Sequence, residues 1–428
     1  MRRLNQDHGY ALAFSLIFLF LVISLVAVYI MVTSNGLNAS KRSADSKRAY
    51  YMADAGISDA LIALRAYTTP PATFNLTNSA YALGNGKTGS YTYTAVSNGS
   101  AFATYTITST GTFNNISRTL VLKVQQTSIS SYAYFSNTEI NPSLGTLWWG
   151  TGSITVGPVR TNGTLNVFGS PVFNGTVTQS GSAINYHSGT NNPSFNDGLT
   201  VNAPTIPFPT SALLNSIASG STVGGLHLIG ATTIVFNSNG TMNVTNSNKG
   251  WNNSVQPIPS NGMIYVNNST VSSTDGNVTV KGTIKGKVTV ASANQAYING
   301  NILYSSDPRT NPASTDMFGL VSKKDVTVLS ASTPSNLEID GVMVALTGAF
   351  QLDNPAVTGK GNMVQYGSLV NSYSGATGTV NSSGVMVGGY VQLQSYDTRL
   401  QNTIPPGFLV ATDSSGRIVY VKISLKEQ

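Results

Sequence analysis

From Gly9 to Ser40 the chain carries no charged residue, and Tyr10 to Val32 is apolar apart from Ser15 and Ser24. A run of this length constrains the fold more than any other feature. At 1.5 Å per residue it gives about 35 Å of helix, enough to cross a hydrocarbon core of about 30 Å. It is long for the apolar region of a secretory signal, and no small-x-small cleavage motif follows it. Helical spacing then continues through the charged stretch Lys41 to Arg65, with no proline before Pro70. One helix is therefore expected to begin in a bilayer and finish outside it. Asn35, Gly36 and Asn38 are weak helix formers in its middle, so a bend or local melting is expected there. Ala53, Ile57, Ala60, Leu61 and Leu64 recur on one face, with Asp54, Ser58, Asp59 and Arg65 between them, the pattern of an amphipathic helix made to cover a sheet.

Three strand-like runs follow, Gly89 to Val96, Ala101 to Thr112 and Ile116 to Gln125, and read as an antiparallel meander packed on the helix. Beyond Ser128 the only helical signal is a short turn at Thr210 to Ala218. Short β-branched runs divided by glycine dominate instead: Gly152 to Val159, Gly163 to Phe168, Val172 to Val177, Asn277 to Ile284, Gly286 to Ala291, Ala296 to Leu303 and Val326 to Leu329. They suit a parallel β-solenoid, whose coils bury their inner faces only by stacking. A twisted β-sandwich produces a similar pattern. Gln179 to Asn202, rich in Ser, Gly, Asn and Thr, breaks it and is expected to be a surface insertion. The fold class is α+β, in four parts: a leader over 1–9, a hydrophobic then amphipathic helix over 10–67, an antiparallel meander over 68–127, and a β-rich extracytoplasmic domain over 128–428.

Zero Cys excludes disulfides and thiolate metal sites, so the β-rich part must be held by burial and strand hydrogen bonds alone. The net charge of +7 is spread along the chain rather than gathered in one block, and nucleic acid is not an expected partner.

The segment "HGYALAFSLIFLFLVISLVAVYIM" followed by "SADSKRAYYMADAGISDALIAL" resembles the leader and N-terminal helix of PilX-type minor pilins and their type II secretion relatives. The resemblance covers about the first 125 residues. It implies a short basic leader in the cytoplasm, a prepilin peptidase that cuts between Gly9 and Tyr10, and an inner-membrane precursor. Leu12, Phe14, Leu16, Phe18, Leu21 and Leu25 then pack in the membrane and afterwards among sister pilin or pseudopilin subunits in a filament core. The fifth mature residue is Phe14, where major pilins carry Glu, which implies a place at a filament tip. Farther on, "GPVRTNGTLNVFGSPVFNGTV", "DMFGLVSKKDVTVL" and "SYDTRL" resemble an uncharacterised bacterial β-rich domain. Orientation rests on the resemblance too, since basic residues flank the apolar run on both sides.

Catalytic and metal residues are not expected. Only twelve Asp or Glu occur from Ser128 onward, and their closest pair, Glu338 and Asp340, reads as a solvent-facing pair on one strand. Asp307 with Arg309 reads as a turn ion pair. His187 and His227 have no partner at ligand spacing, and no cofactor is implied. Two features are candidates for ligand contact. Trp148 and Trp149, near Tyr132, Tyr134 and Phe135, offer rigid faces for surface glycans or a partner, with core packing as the competing role. Lys281, Lys285 and Lys287 lie in glycine-punctuated strands and can form a ladder for polyanions, or simply a solvated face. The expected function is a structural filament component displaying a β-rich domain. The alternatives are a singly anchored adhesin or glycan-binding protein and, behind it, a tethered polysaccharide-active enzyme.

Overall fold

The computed structural model describes residues 7–67, 71–82, 88–98, 103–410 and 417–428. They fall into two compact units, the first made of the N-terminal residues to Gln125 together with Tyr420–Gln428, the second of Gln126–Val419.

The first unit is built on helix α1, Asp7–Ala66, which is unbroken. The expected bend or melting at Asn35 to Asn38 does not interrupt it: a Cβ at Gly36 would meet nothing, and the flanking turns keep the helical register. In its second half Ala49, Met52, Ala53, Ile57, Ala60 and Leu64 are buried, the three-and-four spacing of one helix face. That face lies on a sheet of β1 (Thr73–Ala82), β2 (Thr88–Ser97), β3 (Thr104–Phe113) and β4 (Ile116–Gln126), antiparallel in that order. In β3 every second side chain, from Tyr105 to Phe113, is buried, as period-two alternation requires. Asn114 and Asn115 join β3 to β4 with φ of 47° and 63°, the positive pair that a two-residue hairpin of matching twist demands. Helix and sheet approach closely because Gly56 faces Ser109 and Gly111 faces the backbone of Ala49 to Ala53; a Cβ at either position would overlap these atoms.

The meander is not limited to three strands. β1 adds an edge, and the C-terminal strand Tyr420–Glu427 joins the other edge beside β4. Gln428 N–H donates to Thr119 O at 2.9 Å, and the Tyr420 ring meets Tyr105 edge-on at 6.0 Å. The domain expected over 128–428 thus loses its last residues to the first unit, because an open β4 edge offers them a ladder.

In the second unit most strands pair in parallel and in register, one winding of the chain on the next, while Thr232–Phe236, Thr241–Asn246 and Trp251–Pro257 form an antiparallel meander. One inward file runs Leu226, Ile264, Val290, Leu320, Met343, Leu369, Tyr134, Val159, Val177 and Leu199. From Ile264 to Val177 it forms the spine of the larger apolar core, Leu226 packs against that core, and Leu199 at the far end is exposed. Two positions along, the file is apolar at Leu228, Val266 and Ala345 and polar at Ser292, Ser322, Asn371, Ser136, Thr161 and Gln179. These side chains bond the backbone turns that follow each strand: Ser292 Oγ donates to Gly276 O at 2.6 Å, and Asn371 Oδ1 accepts from Phe350 N–H at 2.9 Å. The long strands bend where Gly341 and Gly367 stack in register with φ of 128° and 143°. A Cβ at Gly367 would overlap the Gly341 carbonyl.

The stack is not filled in chain order. Tyr134–Thr138, its first strand in sequence, lies in the middle, between Asn362–Tyr373 and Val159–Thr161. The chain winds outward to Leu199–Thr200, crosses through residues 201–225, and begins again with Leu226–Ile229. From there it winds back to meet its own first coil. The crossing segment holds helix α2, Ser211–Thr222, capped by Thr210 and so longer than the expected turn. Leu213, Leu214 and Ile217 of α2, with Phe408, cover the outward file Ala291, Val321, Val344, Val370 and Phe135, making a second core outside the coils. Gln179 to Asn202 is not a surface insertion: Ser194–Phe195 and Leu199–Thr200 extend the parallel ladders. Their backbone pairing needs no apolar run, and the polar composition concealed it.

Candidate functional site

The first half of α1 is the most unusual surface of the molecule. Leu12, Phe14, Leu16, Phe18, Leu21 and Leu25 are between 49% and 71% exposed, and nothing among the described residues covers the apolar stretch. In water each such side chain forgoes roughly 1.5–3 kcal/mol of burial, so the segment requires an apolar surrounding. Among the described residues it is the one helix long and apolar enough to cross a membrane. Its Ser and Thr hydroxyls at 15, 24 and 33 are satisfied within the helix: Ser15 donates to Ala11 O at 2.7 Å, Ser24 to Leu21 O at 2.8 Å, and Thr33 to Tyr29 O at 2.8 Å. Helical back-bonding of this kind lets Ser and Thr enter a low-dielectric medium. The Gly9–Tyr10 peptide lies in the first turn of α1.

The two tryptophans part company. Trp149 is a core residue, edge-on to Tyr134 at 5.1 Å and 5.2 Å from Phe173. Trp148 is half-buried, edge-on to His187 at 4.9 Å, and with Trp149 lines a cavity of about 180 Å³. Asn371, Ser374, Thr377 and Gln392 supply its polar wall. Behind that wall lies Glu139, 1% exposed, which the sequence did not single out. Its carboxyl takes hydrogen bonds from Ser136 Oγ, from Ser374 Oγ at 3.0 Å and from Tyr134 OH at 3.4 Å. Burial pushes this carboxyl above the usual range, although the hydroxyls around it pull the other way. The available signal was its isolation: a lone Glu between β-branched runs, with a hydroxyl-rich neighbourhood.

Lys281, Lys285 and Lys287 belong to one coil and its turn, and do not form a ladder. The register neighbours of Lys281 and Lys287 in adjoining coils include Val235 and Met317, so positive charge does not repeat down the stack. Lys281 instead lays its stem over Gly300.

Glu338 and Asp340 are not a solvent-facing pair. Glu338 is half-buried, with Arg309 Nη2 at 2.5 Å, whereas the Asp340 side chain is 2% exposed, with the same nitrogen at 3.7 Å. Arg309 also holds Asp307 at 2.9 Å, the expected turn pair. Asp340 Oδ2 accepts from Tyr304 N–H at 2.9 Å, and Oδ1 has no hydrogen-bond partner among the described residues. Burial outweighs these favourable contacts and pushes the Asp340 carboxyl up to about 7. Asp397 and Arg399, paired at 2.6 Å, add a second ion pair whose guanidinium lies over the Tyr304 ring. The cluster sets four carboxyls, Asp307, Glu338, Asp340 and Asp397, against two guanidiniums, Arg309 and Arg399. His227 Nδ1 lies 3.0 Å from Ser221 Oγ, and the His187 ring stacks on Phe168 at 3.9 Å. Among the described residues no three His, Asp or Glu converge as a metal would require.

Residues 90–182 match a family described as a domain of unknown function (DUF4900), well short of half the chain; the match begins in β2 and ends in the second unit. Among solved structures, the crystal structure of the competence-associated pilin ComZ from Thermus thermophilus is similar to this chain at 13% identity, over 90% of this chain and 98% of that one. Its TM-score is 0.33, at which the likeness carries no argument. No curated protein sequence matches.

Proposed function

We propose that this chain is a pilin-like structural subunit, a minor pilin or pseudopilin of a type IV pilus or related filament. The observation that carries the reading is α1: an uncovered apolar half of membrane-spanning length, continuous with an amphipathic half packed on an antiparallel sheet. The first half is built to exchange one apolar surrounding, the inner membrane, for another, the helices of sister subunits. The second half fixes it to a folded head. The N-terminal sequence supports the same reading, with a prepilin peptidase cutting between Gly9 and Tyr10.

In this reading the second unit is a parallel solenoid displayed outside the cell, and the in-register inward file supports that description. Its role is contact rather than turnover. Phe14 leaves the subunit without the carboxylate that a neighbour's N-terminal ammonium would need, which supports a role at the filament tip or in the complex that starts assembly. The second reading, a singly anchored surface adhesin, draws on the cavity beside Trp148.

The test is the mature N-terminus. Mass spectrometry of protein from cells is expected to find Tyr10 first, and Gly9→Val to leave the leader attached. Protein beginning at Met1 in wild-type cells refutes the filament reading and leaves the anchored adhesin.

A further inference from the structure

We propose that the cavity beside Trp148 is a binding site for one uncharged pyranose ring of a glycan. Four observations carry this. Its volume of about 180 Å³ falls below the roughly 300–1,000 Å³ of sites for drug-sized ligands, which limits the occupant to a single ring. None of its lining side chains is charged, so an anionic or cationic ligand would be desolvated without a counter-charge. Indole rings and hydroxyl and amide groups line it together: Trp148 and Trp149 with Asn371, Ser374, Thr377 and Gln392. A pyranose ring combines C–H faces with a hydroxyl rim, and aromatic rings take the former while amides and hydroxyls take the latter.

The fourth observation is Glu139. Tyr134 OH and Ser374 Oγ, both in the cavity wall, donate to its buried carboxyl. Tyr134 OH and Ser374 Oγ also bond each other at 3.1 Å, so one network anchored on Glu139 holds both wall hydroxyls in a fixed orientation. A buried carboxyl with no cation among its hydrogen-bond partners is costly to keep, and orienting this wall gives it a role. Glu139 is a positioning residue here, since it does not line the cavity. The hairpin Gly378–Val380 and Met386–Gly389 contributes Gly378, Val380 and Met386 to the lining. The proposal does not depend on the filament reading, because every residue in it lies in the second unit.

The experiment uses the full chain in a detergent without a sugar headgroup. The methyl glycosides of glucose, galactose and mannose, and N-acetylglucosamine, are titrated against tryptophan fluorescence and by saturation-transfer NMR. At least one neutral sugar is expected to bind saturably, and Trp148→Ala to weaken it at least about tenfold, equivalent to about 1.4 kcal/mol. Trp251→Phe, remote from the cavity, is expected to leave affinity unchanged. Gln392→Leu keeps the strand and removes one wall amide, so it reads the same site if Trp148→Ala fails to fold. Glu139→Gln is expected to weaken binding while the tryptophan environment stays intact. Absence of saturation by every neutral sugar overturns the proposal, as does binding unaffected by both Trp148→Ala and Gln392→Leu. Binding confined to sialic or uronic acids also overturns it. None of these outcomes alters the mature N-terminus, so the two readings fail separately.

Discussion

Replacing Asp340 by Asn should remove the pH dependence that this residue imposes on the second unit. The carboxyl is buried in the strand Leu337–Ala345, receives one hydrogen bond from Tyr304, and faces Arg309 at 3.7 Å. Arg309 gives its shorter contacts to Asp307 and Glu338, whose negative charges also oppose ionisation of Asp340. Across Tyr304 and Tyr366 stand Asp397 and Arg399, which largely cancel. The carboxyl therefore titrates at about 7 in the folded protein against an ordinary 3.8. At 1.36 kcal/mol per pH unit that gap corresponds to about 4 kcal/mol. The sign follows from proton counting. Between about pH 4 and pH 7 the folded form keeps a proton that the unfolded form has released, so stability falls as pH rises through this window and levels off above it. Asn keeps an oxygen for the Tyr304 N–H and cannot ionise. Asp340→Asn should be more stable than the parent at pH 8, by up to about 4 kcal/mol, with the difference shrinking toward zero near pH 4. Denaturant unfolding followed by tryptophan fluorescence reports this unit, since Trp148, Trp149 and Trp251 all lie in it. Glu139 titrates in the same direction but is common to both proteins and cancels. A difference constant across pH 4 to 8, or a variant less stable at pH 8, would refute the reasoning.

Deleting Tyr420–Gln428 should expose the β4 edge and loosen the first unit while the second keeps its unfolding transition; limited proteolysis within 88–126 reads the effect, and an unchanged digest would count against it. Gly111→Ala should cost about 1–3 kcal/mol, because its new methyl meets rigid helix backbone. Gly36→Ala, which projects into open space within α1, should instead stabilise the helix by about 0.5–1 kcal/mol. Thermal unfolding and helical circular dichroism check the pair. Leu21→Arg should oppose membrane insertion by about 2.5–3.5 kcal/mol, read as transfer of protein from the membrane to the soluble fraction.

Local sequence determined those elements whose signal lies within a few residues. The apolar run fixed α1 by length, and Ala53, Ile57 and Leu64 fixed its buried face, although Leu61, assigned to that face, is only half-buried. The asparagine pair at 114–115 fixed the hairpin. In the β-rich part, glycine-divided β-branched runs identified strands such as Val278–Ile284 and Ala296–Tyr304, left out Leu337–Ala345 and Asn362–Tyr373, and gave no sign of which strand each would meet. Pairing there joins residues far apart in the chain, such as Leu369 with Tyr134, and no short window records it. The same holds for the site. Trp148 and Trp149 were legible as aromatic residues, but Ser374 and Glu139, 235 positions apart, become one hydrogen-bonded group only after the winding chain returns to its first coil. Asp340 read as exposed because strand alternation cannot tell an outer face that meets water from one covered by other parts of the chain. The C-terminal strand shows the difference most plainly. Its residues carry an ordinary strand pattern, and what draws them from the second unit into the first is an unpaired β4 edge, a feature that exists only once β1 to β4 have assembled.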